Sequence, residues 1–196
     1  METAGPPATR AAEAFLHESS SPEFIAHSHR CYYFSAIAYE HGASRPDLDR
    51  EALYLAVLMH DVGLFTPQLE GEYCFTVTGA RHARPIAEEC GWARQRIDKV
   101  AAAITANLNP FVPAGRFGVE AHYFRVGGLI DVLAQGWKVH PDNVRTIVER
   151  YPRDGFATDT ARVIREEVHR NPGCRFACYG PAFPTLVRAT RFGGES

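Results

Sequence analysis

No stretch of this 196-residue chain approaches the ~18 uninterrupted apolar residues that a membrane-crossing helix needs. A spanning segment is therefore not expected. Nor is there a basic block: 21 Lys and Arg stand against 23 Asp and Glu, for a formal net charge of −2. Without a positive stripe to follow phosphates, binding to nucleic acid is not expected. The first residues lack the charged-then-apolar order of a secretion signal, so the chain is expected to be soluble and cytoplasmic. Cysteine is scarce and odd in number, five in all with irregular spacing, which is no disulfide framework. Cys174 and Cys178 lie four apart with no second pair to complete a zinc ribbon. Cys31, Cys74 and Cys90 are expected to pack as small apolar side chains. Glycine-rich phosphate cradles, a Gly-x-Ser-x-Gly elbow and a cysteine-nucleophile motif are all missing. Period-2 alternation is also rare, and Phe75 to Val77 is the only short strand candidate.

What remains is helical patterning, enough for a single all-α domain with a substantial core. Thr9 to Ser19 reads as a short amphipathic start. Ser21-Pro22-Glu23 is a helix opening, with a cap, a proline at the first position and an acid at the positive end of the dipole. That helix is expected to reach Glu40 and stop at Gly42. Further helices are expected over Asp47 to His60, Thr78 to Cys90 with Gly91 as terminator, Ala93 to Asn107, and Gly118 to Ala134 closed by Gly136. Pro85 should kink the second of these or delay its start. His140-Pro141-Asp142 opens a helix to Arg150, and Thr158 another to Arg170. The expected division is a helical extension over 1–21, a helical bundle over 22–172 and a loop-rich tail over 173–196, packed on the bundle.

Chemistry gathers at three places. His60-Asp61 ends the apolar run Leu53-Tyr-Leu-Ala-Val-Leu-Met59. An imidazole and a carboxylate at the exit of a buried helix are costly unless paired, and a divalent metal takes both. Asp131 falls in Gly127-Gly-Leu-Ile-Asp-Val-Leu133, where a lone carboxylate is disfavoured. Gly127 and Gly128, one turn earlier, let a neighbouring helix approach closely. His27 and His29 point roughly 160° apart on a helix at 100° per residue, while His27 and Arg30 share a face. Only one of the two histidines can then look toward such a site. His17, His41, His140 and His169 fall at helix ends or in polar runs, where solvated or capping roles are usual.

The order His27, then His60-Asp61, then Asp131 resembles the HD superfamily of metal-dependent hydrolases. Ala26-His-Ser-His-Arg-Cys-Tyr-Tyr-Phe34 is similar to the first motif of its cyanamide hydratase-like branch, where a metal His is followed by Ser, any residue, Arg and an aromatic turn. Gly79-Ala80, Ala103-Ile104 and Tyr151-Pro-Arg-Asp-Gly-Phe156 also look like signatures of that branch. Asn171-Pro172 stands where it often has Lys-Pro, and the likeness covers residues 22–172. The resemblance implies an HD-fold helical bundle with a metal held by His27, His60, Asp61 and Asp131. It leaves His29 off the metal, at the surface or behind a ligand. Two nitrogen and two carboxylate donors suit zinc first, and also iron, manganese or nickel.

Two departures bear on the reaction. Asn107 stands where the branch usually has His, and an amide cannot shuttle a proton as imidazole can. Leu64 follows His-Asp-Val-Gly where many HD phosphohydrolases carry Lys. Asp61, Arg30 and Asn107 are the expected catalytic groups, with Asp61 orienting water beside the metal. A second metal would use His82, yet Asn107 occupies the position of the further His it needs, so one metal is expected. Arg30, Arg81 and Arg84 are the candidates to hold an anion. The expected substrate is a small, uncharged or weakly charged molecule attacked at a nitrile- or amide-like C–N group by activated water. A nucleotide or phosphomonoester hydrolase is the alternative, and a non-catalytic binding module the second. The sequence leaves open whether copies associate as a homo-oligomer.

Overall fold

Helix α3, Arg50–Met59, is buried on almost every side: Leu53, Leu55, Ala56, Val57, Leu58 and Met59 have no exposed surface. A helix apolar all round belongs at the centre of a bundle. Each of its large side chains contributes roughly 1.5–3 kcal/mol by leaving water. The structure, a computed structural model, describes residues 6–42, 46–68, 74–134, 139–180 and 182–190. Among these, every regular element is helical. Helices α1 (Pro7–Ser19), α2 (Pro22–Glu40), α4 (Phe75–Glu89), α5 (Arg94–Ala106) and α7 (Val119–Leu133) surround α3. The short α6, Ala114–Phe117, leads into α7, and α8 (Pro141–Arg150) and α9 (Phe156–Arg170) follow it.

Two helices among the described residues are capped by side chains at their N-termini. Asp49 caps α3, accepting from the Ala52 N–H at 3.0 Å. Ser21 stands at the cap of α2, but its hydroxyl donates to Asp159 of α9 at 2.6 Å instead of to its own helix. His140 caps α8 through its ring nitrogen, and α9 follows Gly155, at φ 74°, to begin at Phe156, two residues before the expected Thr158. Gly136, the expected stop of α7, lies outside the described residues; the helix ends at Leu133, with Ala134 left-handed at φ 43°.

Three expectations need correction. Phe75 to Val77 is the first turn of α4, not a strand, because three residues are too few to separate the two periods. The same helix therefore begins before Thr78 and runs through Pro85 without a break. The tail is not loop-rich: α10 (Arg175–Tyr179) and α11 (Ala182–Ala189) fold against α9, and α11 also meets α7. Gly180 and Pro184 sit at the ends of these helices. Gly180 turns at φ 64°, and Pro184 occupies the first turn of α11, where a missing N–H costs nothing.

Two glycines set the spacing around the charges of the core. A Cβ on Gly127 would lie 2.1 Å from Ser35 Oγ and 2.4 Å from the Cys31 carbonyl oxygen, so α2 and α7 touch backbone to backbone. A Cβ on Gly63 would lie 2.1 Å from the Phe75 carbonyl oxygen, which lets the turn after α3 press against the start of α4.

Candidate metal centre

α3 ends at Met59, and the chain leaves it through His60 and Asp61 into a single 3-10 turn, Val62–Leu64. His60 is fixed at once, because its Nδ1–H donates to the carbonyl of Val57 at 2.6 Å. A carbonyl can only accept, so the proton belongs on Nδ1 and the Nε2 lone pair faces the other way. That Nε2 lies 3.0 Å from Asp61 Oδ2.

His27 approaches the same carboxylate from α2. Its Nδ1 is 2.6 Å from Asp131 Oδ2, and its Nε2 is 3.6 Å from Asp61 Oδ2. Asp131 is ionised: burial works against its charge, but Arg30 beside it and the bond from His27 hold its carboxyl far below the usual carboxylate range. The proton on His27 therefore lies on Nδ1 as well. Two imidazoles thus have one nitrogen tethered to an oxygen acceptor and the other aimed at Asp61. Outer acceptors of this kind are what orient histidines that bind metals.

The ring of His27 is held in place from behind. Phe156 stacks on it, with centroids 4.7 Å apart at 21°. Asp131 takes Arg30 Nε at 2.6 Å, Arg30 NH2 at 3.1 Å and Arg153 NH1 at 2.9 Å. Arg30 NH1 donates to the carbonyls of Tyr151 and Pro152, at 3.1 and 2.7 Å. The segment Tyr151-Pro-Arg-Asp-Gly-Phe156 is thereby explained: it supplies two carbonyls, a second arginine, a left-handed glycine and the stacking ring.

Electrostatics differ between the two histidines. Burial depresses the pKa of His27 and outweighs the bond from Asp131. At His60 burial also works downward, but the Asp61 carboxylate wins and raises the value. For Asp61, burial acts upward and the facing His60 brings it down. His27, His60 and Asp61 form one buried group whose donor atoms lie within 4.8 Å of one another. Asp131 does not join that group; it groups with His27 and Cys31 on the far side of the ring. Burial raises the Cys31 thiol well above its ordinary range, which keeps it neutral and makes it a poor ligand.

The three-residue group opens onto a cavity of about 240 Å³ under α9, α10 and α11. Asn107, at the end of α5, lines it, as do Phe24, Leu129, Phe156, Phe176 and Phe183. Arg30 and Asp131 stand behind the ring of His27 and do not line it. His29 is buried too, on the opposite side of α2, stacked on Tyr151 at 4.6 Å and 3.5 Å from Glu13 of α1. His82 packs against Phe15 at 4.9 Å and belongs to neither histidine group. Arg84 pairs with Asp98 at the surface and Arg81 is exposed, so neither faces the cavity.

Sequence reasoning missed Arg125, which lines the cavity, and the roof above it. Both had a signal. Arg125, Gly128, Leu129 and Val132 follow helical spacing on one face of α7, and all four line the cavity. Phe176, Tyr179, Phe183 and Leu186 recur at intervals of three or four residues across two helices, which marks an inward stripe.

A family model described as HD domain matches residues 24–146, more than half of the chain. No curated protein matches it.

Proposed function

The chain belongs to the HD-domain family, and from that membership we propose that it is a metal-dependent hydrolase or hydratase acting on a small molecule at a nitrile- or amide-like C–N group. The observation that carries the metal is the pair of tethered imidazoles: both Nδ1 atoms are occupied, at 2.6 Å each, and both Nε2 atoms converge on Asp61. In this reading His27, His60 and Asp61 hold one divalent ion. Asp131, a ligand by the family pattern, here orients His27 through Nδ1. The donor set of two nitrogens and one carboxylate suits zinc or iron and leaves positions for water and substrate. Such an ion, when bound, lowers the pKa of coordinated water and polarises the group under attack.

The protein's own side chains supply the rest. Asp61 would orient water at the cavity floor by accepting its hydrogen bond, since its carboxyl is held ionised by the facing His60. Arg30 is a positioning residue, since each of its nitrogens is engaged behind the ring of His27. Asn107 can donate to and accept from a C–N substrate but holds no transferable proton near neutral pH. The walls are mostly apolar, which strengthens each polar contact inside. Among the described residues nothing beside Asp61 matches the phosphate-side lysine of HD phosphohydrolases, because Leu64 packs into the apolar cluster with Phe24 and Phe75.

The test is a substrate panel on metal-loaded protein: small amides and nitriles against nucleoside monophosphates and aryl phosphates. Turnover within the C–N set supports the reading. Robust turnover of nucleotides with none of the C–N compounds contradicts it and leaves the metal centre standing.

A further inference from the structure

The cavity above the cluster holds a cation with no counter-charge among the described residues. Arg125 lies on the face of α7 turned toward the cavity, and its Nε is buried with no hydrogen-bond partner. The titratable group acting on it is the hydroxyl of Tyr179, which donates to the carbonyl of Leu108. No carboxylate among the described residues pairs with it. Burial accordingly pulls its pKa below the ordinary arginine value. Other inward arginines are treated differently: Arg30 and Arg153 both close on Asp131.

A second orphan faces the same space. Thr160 of α9 lines the cavity, is 5% exposed, and its hydroxyl has no partner. Helical threonines usually return their hydroxyl to the carbonyl four residues back. Thr105 and Thr146 do so within helices of this chain. Thr160 does not, although the same bond would be open to it.

A guanidinium whose buried Nε lacks a partner and a hydroxyl in the same state, both in one largely apolar cavity, are costly in the empty protein. A ligand that brings an anion removes both costs together. We propose that Arg125 and Thr160 form the seat for the carboxylate of a small apolar monoanion, whose other end reaches His27, His60 and Asp61. The charge argues for a monoanion, because the seat has one guanidinium, whereas a phosphate dianion calls for further cations. The size argues for a compact molecule: about 240 Å³ lies below the roughly 300–1,000 Å³ usual for ligand pockets. The walls, with Phe24, Leu129 and Phe176, suit a hydrocarbon or aromatic body. The proposal deepens the metal reading by naming the substrate's far end, but the seat itself does not require the metal.

The test uses benzoate, its neutral counterpart benzamide and inorganic phosphate, titrated by calorimetry and thermal shift into the full chain with and without metal. Benzoate should bind and raise the melting temperature, with benzamide and phosphate at least about tenfold weaker. Arg125→Gln should lose about tenfold or more for benzoate, and Thr160→Val a smaller factor, while Arg145→Gln, exposed on α8 and away from the cavity, keeps binding within about twofold. In ligand-free protein Arg125→Met should raise the melting temperature, an effect opposite to that of removing a structural strut. Equal binding of benzoate and benzamide, preference for phosphate, or a lowered melting temperature in Arg125→Met would each overturn the proposal. Loss of benzoate in Asp61→Ala but not in Arg125→Gln would place the carboxylate on the metal, ending the proposal and not the metal centre. Selective benzoate binding through Arg125 in a protein that takes up no metal would leave the seat intact and refute the reading it deepens.

Discussion

Helix α7 carries Arg125 and Asp131 six residues apart, and the fold treats the two charges in opposite ways. Asp131 faces α2 and is saturated by His27, Arg30 and Arg153. Arg125 faces the cavity and is left with its Nε bare. The first face is built to hold a ring still. The second keeps its polar groups open, which is the arrangement expected where a ligand completes the bonding. One helix thus separates positioning from recognition by its rotation, with Gly127 on the packed side and Gly128 on the open side.

The largest effect should come from breaking the saturated side. Asp131→Ala removes the buried carboxylate on which Arg30 and Arg153 converge, and should cost about 3–5 kcal/mol in denaturant unfolding. A cost below about 1 kcal/mol would mean the network is ornamental and the contrast false. The glycine pair sharpens the same contrast. Gly127→Ala drives a methyl into the Cys31 carbonyl and Ser35, and should cost about 1–3 kcal/mol or more. Gly128→Ala meets only Asn107 Oδ1, at 3.7 Å, and should be neutral or stabilising by up to about 1 kcal/mol, since alanine favours helix.

Turning from α7 to α2, His29→Ala should keep the metal and most activity while His27→Ala keeps neither. Metal analysis of the two variants checks this, and reversed results would show that the helix phase is wrong. The smallest effect belongs to a half-exposed pair. The bond from Arg96 holds the Asp49 carboxyl below its ordinary value, so its stabilising contribution is full above the unfolded pKa near 3.9 and fades as pH falls through the folded value. Asp49→Asn should flatten that acid limb by no more than about 1 kcal/mol in pH-dependent unfolding.

How much of this was legible in the sequence varies with the kind of signal. His60-Asp61 announced itself, because polar ligands at the end of an apolar run are costly to bury until something pairs with them. Asp131 stood out for the same reason. The roles around them did not, since a linear sequence cannot say that Arg30 and Arg153, far apart in the chain, converge on one carboxylate. Nor could it divide His27 from His29 by burial: both are inside, because α1 and Tyr151 cover the face that would otherwise meet solvent. The tail misled through composition. Its Gly and Pro residues read as loop, yet Gly180 and Pro184 lie at the ends of two short helices whose aromatic stripe roofs the cavity. Arg125 was hidden by its neighbours, a single charge among Tyr123, Phe124 and Val126 with no carboxylate at helical spacing to mark it.

The central claim is that two tethered histidines and Asp61 hold one divalent ion. Metal content of untagged protein by mass spectrometry, with helicity followed by circular dichroism, tests it directly. About one ion per chain is predicted for the native protein, falling to a small fraction in His60→Ala and Asp61→Ala while the helical signal persists. A native protein without stoichiometric metal after growth in metal-supplemented medium, or full retention of metal in both variants, would contradict the account.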